Sequence, residues 1–171
     1  MSQAQVLVIM GSESDFDSMK PCIEILDEFE ISNDVIVASA HRTPHEVEKI
    51  ARGAADNGVQ VIIAAAGMAA HLAGVIASHT VLPVIGVPMD GGALNGVDAL
   101  YATVQMPGGI PVATMGIGKH GGKNAAYHTI QVLALGDASI RERIVAYRAG
   151  LSDQVGAMNS RVQERLGRSG S

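Results

Sequence analysis

The sequence predicts an α/β fold, a parallel sheet covered on both faces by helices. Five short runs are apolar almost throughout, as strands buried on both faces must be. Between them lie stretches whose apolar residues recur at three- and four-residue steps, the period of an amphipathic helix. Strand and helix alternate without an internal repeat or a linker, and sequential right-handed crossovers turn such a chain into one open sheet.

Gln5 to Met10 is the first strand, ending at Gly11, and Phe16, Met19, Ile23 and Leu26 mark the helix after it. The second strand is Val35 to Ala38, followed by a helix on which Val47, Ile50, Ala51 and Ala54 share a face. That helix has a marked start: Thr43 as N-cap, Pro44 at the first helical position, and Glu46 completing a Thr-x-x-Glu capping box. Val59 to Ala65 is the third strand, followed by Gly67 and an Ala-rich helix to about Ser78. The fourth strand is Pro83 to Val87. A looser segment, Pro88 to Gly96, precedes a short helix ending near Gln105, which Met106-Pro107-Gly108-Gly109 breaks. Ile110 to Met115 is the fifth strand, and Gly116 to Gly122 leads into a helix from about Asn124 to Leu135. A last amphipathic helix, about Ala138 to Val155, carries Ile140, Ile144, Tyr147 and Leu151 in one stripe. Beyond Met158 a polar tail is placed to fray or to reach a neighbouring subunit. The topology this favours is a flavodoxin-like three-layer sandwich, five parallel strands in the order 2-1-3-4-5, plus the C-terminal helix.

Composition sets the class. The chain has 171 residues, 47% hydrophobic and 17% charged, enough for a single domain with a core and too apolar for disorder. A net charge of −5 without a basic run argues against a nucleic-acid footprint, so any anionic ligand must be held locally. The lone Cys22 excludes an internal disulfide and sits on the apolar face of the first helix as a core residue. The opening Met1-Ser2-Gln3-Ala4-Gln5 lacks the features of a signal peptide, which points to a cytoplasmic protein. Val59 to Ala77 is apolar, but Gln60, Gly67, His71 and Gly74 interrupt it, so it reads as strand, turn and helix rather than a membrane span. The apolar surplus is made of small aliphatic side chains. A monomer of this size exposes roughly a third of its unfolded surface, so a homo-oligomer is expected.

In open parallel sheets, ligands bind beyond the carboxyl ends of the strands. Five segments therefore share one rim: Gly11 to Asp15, Ser39 to Pro44, Ala66 to His71, Met89 to Gly92, and Gly116 to Gly122. Gly11-Ser12-Glu13-Ser14-Asp15 offers hydroxyls and backbone N–H groups to a phosphate at a helix start, with Asp15 suited to ribose hydroxyls; plain N-capping explains the same residues. His41-Arg42 joins a proton carrier to a bidentate phosphate clamp. Read as a surface pair at a helix N-terminus it would oppose the helix dipole, which an anion would explain. His71 reads equally as a buried, satisfied histidine or as one facing a ligand. His45, His79 and His128 carry weaker signals, and no cluster has the spacing of a metal site. Gly116-x-Gly118-x-x-Gly121 matches the dinucleotide fingerprint but lacks the following strand with its acidic end, so a flexible closing loop carrying Lys119 is the better reading.

The strings Met10-Gly11-Ser12-x-Ser14-Asp15, Ser39-Ala40-His41-Arg42-Thr43-Pro44, Ala69-Ala70-His71-Leu72, Pro83 to Pro88 and Val104-Gln105-Met106-Pro107-Gly108-Gly109 to Thr114 together resemble one family. It is the 5-(carboxyamino)imidazole ribonucleotide mutase family of purine biosynthesis, PurE, class I, and the likeness spans about residues 5 to 135. The resemblance implies a homo-octamer without metal or organic cofactor that moves a carboxylate from the exocyclic nitrogen of an imidazole nucleotide to ring carbon 4. It implies His41 as the catalytic acid and base. Ser12, Asp15 and Arg42, with Gly11, would bind the ribonucleotide, and Ser39, Gly67, Ala70, His71 and Leu72 would line its pocket. The chain departs from the usual pattern at Met68, Ala73 and Asp90-Gly91-Gly92. These departures keep open the related enzyme that carboxylates aminoimidazole ribonucleotide with carbon dioxide, beside a non-catalytic nucleotide-binding module. A signalling receiver would need acidic groups after the first and third strands. A flavin module would need rim aromatics, for which Tyr101 is the one candidate.

Overall fold

The computed structural model describes residues 4–168. Residues 1–3 of the N-terminal segment and 169–171 of the polar tail lie outside the described residues. The chain divides into two compact units, one through Ile130 and one from Gln131 onward.

The first unit carries the sheet: β1 (Val6–Met10), β2 (Asn33–Val37), β3 (Val61–Ala66), β4 (Val84–Pro88) and β5 (Ala113–Thr114). All pairs are parallel and the order is β2-β1-β3-β4-β5, as the crossovers require. Its helices are α1 (Phe16–Glu28), α2 (Pro44–Gly53), α3 (Leu72–His79), α4 (Val97–Val104) and α5 (Gly118–Leu133), the last running on into the second unit. Alternate strand residues point to opposite faces. Leu7, Ile9, Ile62 and Ala64 thus join Val47, Ala51, Leu72 and Ile76 of α2 and α3 in one cluster. Their neighbours Val8, Ile63 and Ala65 are buried on the other face.

Four expectations change. β2 is not buried on both faces: it ends the strand order, and Val37 is 55% exposed. β5 shrinks from the expected Ile110–Met115 to two residues, because Pro111 has no N–H for the ladder. The capping box at Thr43 does not form. Its hydroxyl is taken by Ser39, accepting from the backbone N–H at 3.0 Å and donating to the carbonyl at 3.1 Å. The flexible loop expected at Gly116 to Gly122 is largely helix, since α5 starts at Gly118. Its glycines serve close approach: a Cβ on Gly121 would overlap the Gly116 carbonyl oxygen, and one on Gly122 would meet Ser18 O and Met19 Sδ at 3.2 Å.

The second unit carries α6 (Ala138–Arg165), ten residues longer than the helix expected to end near Val155. Asp137 caps it, its Oδ1 accepting from Ser139 N at 2.8 Å and Ile140 N at 3.3 Å. The Ser139 hydroxyl, donating to the same carboxylate at 2.7 Å, and these two backbone bonds hold the Asp137 carboxyl below its usual range. Among the described residues, no helix is long and apolar enough to cross a membrane.

Candidate active site

The register builds the site. Met10 pairs with Val37 on one side and Ala65 on the other, and Ala66 pairs with Pro88, so the chain leaves four strands at one level. The ladder continues one step further: Gly11 N–H donates to Ala65 O, Ala38 N–H to Met10 O, and Met89 N–H to Ala66 O. The residues after these strands line a cleft of about 500 Å³, within the range of small-molecule sites. Gly11, Ser12, Asp15, Ser39, His41, Arg42, Gly67, His71 and Leu72 all lie on its wall.

Ser12, in extended conformation, caps a single 3-10 turn, Glu13–Asp15. Its Oγ lies 3.0 Å from Ser14 Oγ, and its N–H donates to Asp15 Oδ2 at 3.2 Å. The capping box predicted at Thr43 is therefore made here instead. Burial raises the Asp15 carboxyl above its ordinary value, and the charge of Asp90 adds to the rise against the lowering pull of the Ser12 N–H. Such a carboxylate gains from hydroxyl donors that a ligand brings.

Arg42 is held from both ends. Its N–H donates to Ser39 Oγ at 3.2 Å, and its Nη2 donates to Gly11 O at 3.2 Å. The guanidinium is thus drawn across to the loop that carries Ser12 and Asp15. His41 Nε2 lies 2.9 Å from His71 Nδ1, the rings meeting edge to face with centroids 5.0 Å apart. A hydrogen bond between two imidazoles needs a hydrogen on one facing nitrogen and a lone pair on the other, so one proton is shared between them. His71 is exposed and lines the cleft, so it is not the buried histidine that the sequence also allowed.

Two features were not legible in the sequence. Met68 takes a left-handed conformation, φ 53°, which non-glycine residues rarely adopt, and it lies 61% exposed on the cleft wall. With the chain turned there, Ala70 N–H bonds back to Met68 O, and Ala70 is buried behind the wall at 1% exposure rather than lining it. Ala40, Ala66, Ala69 and Met89 complete an apolar side that residue-by-residue reading of polar groups overlooks. The alternation of small apolar residues with the polar ones in each rim segment was the available signal.

A larger hollow, about 880 Å³, lies among 77–84 and 109–113 with Arg52. Arg52 is spoken for by Glu48 at 2.9 Å, and the hollow contains no facing pair of titratable groups like His41 and His71. The facing histidines and Arg42 line the smaller cleft instead. Cys22 takes no part: it is buried, and burial pushes its thiol up to about 12. Among the described residues, no group of three or more His, Cys, Asp or Glu side chains is placed to hold a metal ion.

The fold is shared with solved structures from Treponema denticola. PurE superposes with a TM-score of 0.83 at 24% identity, covering 92% of this chain and 98% of that one. A variant of PurE2 superposes at 0.84 and 23%, covering 92% and 97%. Sequence relatives are nearer. The N5-carboxyaminoimidazole ribonucleotide mutase of Escherichia coli K12 is 48% identical over 152 residues, 89% of this chain and 90% of the relative. The mutase of Mycobacterium tuberculosis H37Rv is 48% identical over 164 residues, 96% and 93% of the two chains. That of Pyrococcus abyssi is 49% identical over 144 residues, 84% and 82%. The AIR carboxylase family model matches residues 5–154, which hold every rim segment described above, and this chain belongs to that family.

Proposed function

We propose that this chain is an N5-carboxyaminoimidazole ribonucleotide mutase of purine biosynthesis. It moves the carboxylate of 5-carboxyamino-1-(5-phosphoribosyl)imidazole from the exocyclic nitrogen to ring carbon 4. The observation that carries this reading is the imidazole of His41 standing on one cleft wall with Arg42, Ser12 and Asp15, in a chain 48% identical to curated mutases over most of its length.

Each side chain has a task that its surroundings suit. Arg42 and the Ser12 hydroxyl take the phosphate, where a guanidinium already crosses between the two loops. Asp15 accepts from the ribose hydroxyls. Ser39, Gly67, His71 and Leu72 shape the remaining wall around the imidazole ring of the substrate.

His41 gives its proton to the departing nitrogen as the carbamate C–N bond breaks. The bonding pair stays on nitrogen and carbon dioxide is released within the cleft. The enamine-like ring then uses its electron pair to form the new bond from carbon 4 to carbon dioxide. The imidazole, neutral after its donation, removes the hydrogen from carbon 4 and the ring recovers its aromaticity. The proton count closes, and one side chain serves both steps. His71, 2.9 Å away, orients the His41 ring through their shared hydrogen bond. The apolar wall of Ala40, Ala66, Met68, Ala69, Leu72 and Met89 retains a small neutral gas and leaves water few partners.

The family resemblance supports a cytoplasmic homo-octamer that works without metal or organic cofactor. Exposed Val37, Val81, Leu94 and Tyr101 provide apolar surface for subunit contacts. The test offers the carbamate nucleotide without bicarbonate, in parallel with aminoimidazole ribonucleotide plus bicarbonate. Turnover in the first arm, at substrate levels where the second is silent, is expected. Turnover confined to the second arm would make the protein a carboxylase, and binding without turnover in either would make it a nucleotide-binding module.

A further inference from the structure

Among the described residues, three that are not glycine have a left-handed backbone: Glu30, Met68 and Asn95, with φ of 54°, 53° and 50°. Two of them have local reasons. Glu30 closes α1, its N–H donating to Asp27 O and that of Ile31 to Leu26 O, both at 2.9 Å. Asn95 is of a type that tolerates the conformation. Met68 has neither reason. It caps no helix, and its side chain is 61% exposed, so burial in a core does not offset the strain. A glycine would make the same turn freely. The explanation has to lie in what the side chain does.

Its position shows what that is. The turn after β3 and the loop after β4 meet at Gly67, where an added Cβ would come within 3.4 Å of Met89 Cβ. One residue further on, the Met68 side chain spans the two segments: a Cβ on Gly92 would lie 3.1 Å from its Cγ and 3.6 Å from its Sδ. A Cβ on Gly91, which also lines the cleft, would meet nothing within 4 Å. The loop thus has two consecutive positions without side chains, and the flexible thioether occupies part of the gap they leave. Three residues along the same turn, His71 stands against His41. Met68 therefore covers an opening in the cleft that holds the two imidazoles.

We propose that Met68 decides between capture and loss of the carbon dioxide released in the cleft. This rests on the mutase reading. When the C–N bond breaks and His41 protonates the nitrogen, the products are carbon dioxide and aminoimidazole ribonucleotide. The gas then either bonds to ring carbon 4 or leaves, and leaving turns the turnover into a decarboxylation. Neither Arg42 nor Asp15 can hold a small neutral molecule, so only a wall without gaps retains it. The strained backbone is kept because it aims an apolar side chain at the gap beside Gly91 and Gly92.

Product partitioning tests this. The chain is given the carbamate nucleotide without bicarbonate, and aminoimidazole ribonucleotide and carboxylated product are quantified over the first turnovers, after subtracting the decarboxylation seen without enzyme. Met68→Ala, which removes the reach to Gly92, should raise the ratio of decarboxylated nucleotide to product about tenfold, the lower factor that one missing methylene is worth in an apolar pocket. Met68→Leu keeps an apolar side chain there and should stay near the parent ratio. Met68→Gly should leak like the Ala variant yet melt no lower than the parent, because its turn carries no strain. An unchanged ratio in Met68→Ala, with product still formed, would overturn the proposal and leave the mutase reading standing. Leakage from Met68→Leu equal to that from Met68→Ala would overturn it too. So would a lower melting temperature in Met68→Gly, which would show that the side chain serves the fold. A parent that forms no product from the carbamate nucleotide would remove the mutase reading, and this proposal with it.

Discussion

Replacing His41 by Asn isolates the proton carrier, because the structure gives this side chain so little else to do. His41 is exposed and makes one side-chain hydrogen bond, to His71 at 2.9 Å. Losing an exposed bond of this kind costs about 1 kcal/mol at most, which lowers the melting temperature by about 2–4 °C in a chain of this length. Arg42, Ser12 and Asp15 keep their own partners, so nucleotide affinity should stay within about tenfold. The chemical step is another matter. General acid–base catalysis contributes roughly 100- to 10,000-fold, or about 3–5 kcal/mol of barrier at 1.36 kcal/mol per factor of ten. The variant should therefore lose at least 100-fold in kcat at saturating carbamate nucleotide, with product affinity measured by calorimetry nearly unchanged. His71→Asn, which acts through the His41 ring, should lose less. A kcat within threefold of the parent in the His41 variant would refute the reasoning, and a deeper loss in His71→Asn would transfer the acid–base role to the other ring.

Arg42→Ala should raise the nucleotide Kd about 30-fold, the equivalent of about 2 kcal/mol for a charge-assisted contact; an unchanged calorimetric Kd would contradict the phosphate assignment. Asp15→Asn tests the raised carboxyl. A carboxyl raised on folding weakens the fold as pH climbs from below its unfolded value of 3.8 through its folded one, and the cost persists above both. The Asn variant should therefore resist urea better than the parent at pH 7, the advantage closing near pH 3, while binding nucleotide less tightly. Equal urea midpoints at pH 7 would count against it. Gly121→Ala, which forces a Cβ into the Gly116 carbonyl, should destabilise by about 1–3 kcal/mol. Gly150→Ala, with no atom within 4 Å of the added methyl, should stabilise by about 0.5–1 kcal/mol. Thermal melts of the two variants moving in the same direction would remove the distinction. Cys22 should ignore thiol reagents at pH 8 until urea unfolds the chain, and rapid native labelling would show the site to be open.

Strand order was readable from the sequence because short apolar runs separated by helices have few right-handed ways to close into one sheet. What escaped depends on a partner rather than on a pattern. Thr43 stands three residues before Glu46, as a capping box requires, but the nearer Ser39 backbone satisfies its hydroxyl first. Ser12 and Asp15 have the same spacing and, lacking such a competitor, form the box. Gly118 to Gly122 looked like a loop on propensity alone. Tight approach to Gly116, Ser18 and Met19 overrides the cost of glycine in a helix, and that approach is visible only once the chain is folded.

The candidate site divides in the same way. Gly11, Ser12, Asp15, Ser39, His41 and Arg42 could be placed together because each follows a strand, and parallel register brings strand ends to one level. The link between His41 and His71 spans thirty positions and rests on a ring-to-ring distance that no spacing rule contains. Met68 shows why composition alone misleads there. A left-handed backbone at that position suits glycine, yet the thioether lies beside Gly92, whose added Cβ would come within 3.1 Å of Met68 Cγ. The absence of a side chain at 92 leaves room for that of Met68, which lines the cleft beside Ala66, Ala69 and Met89. Positions 68 and 92 are therefore coupled by packing: a side chain at 92 would have to displace Met68.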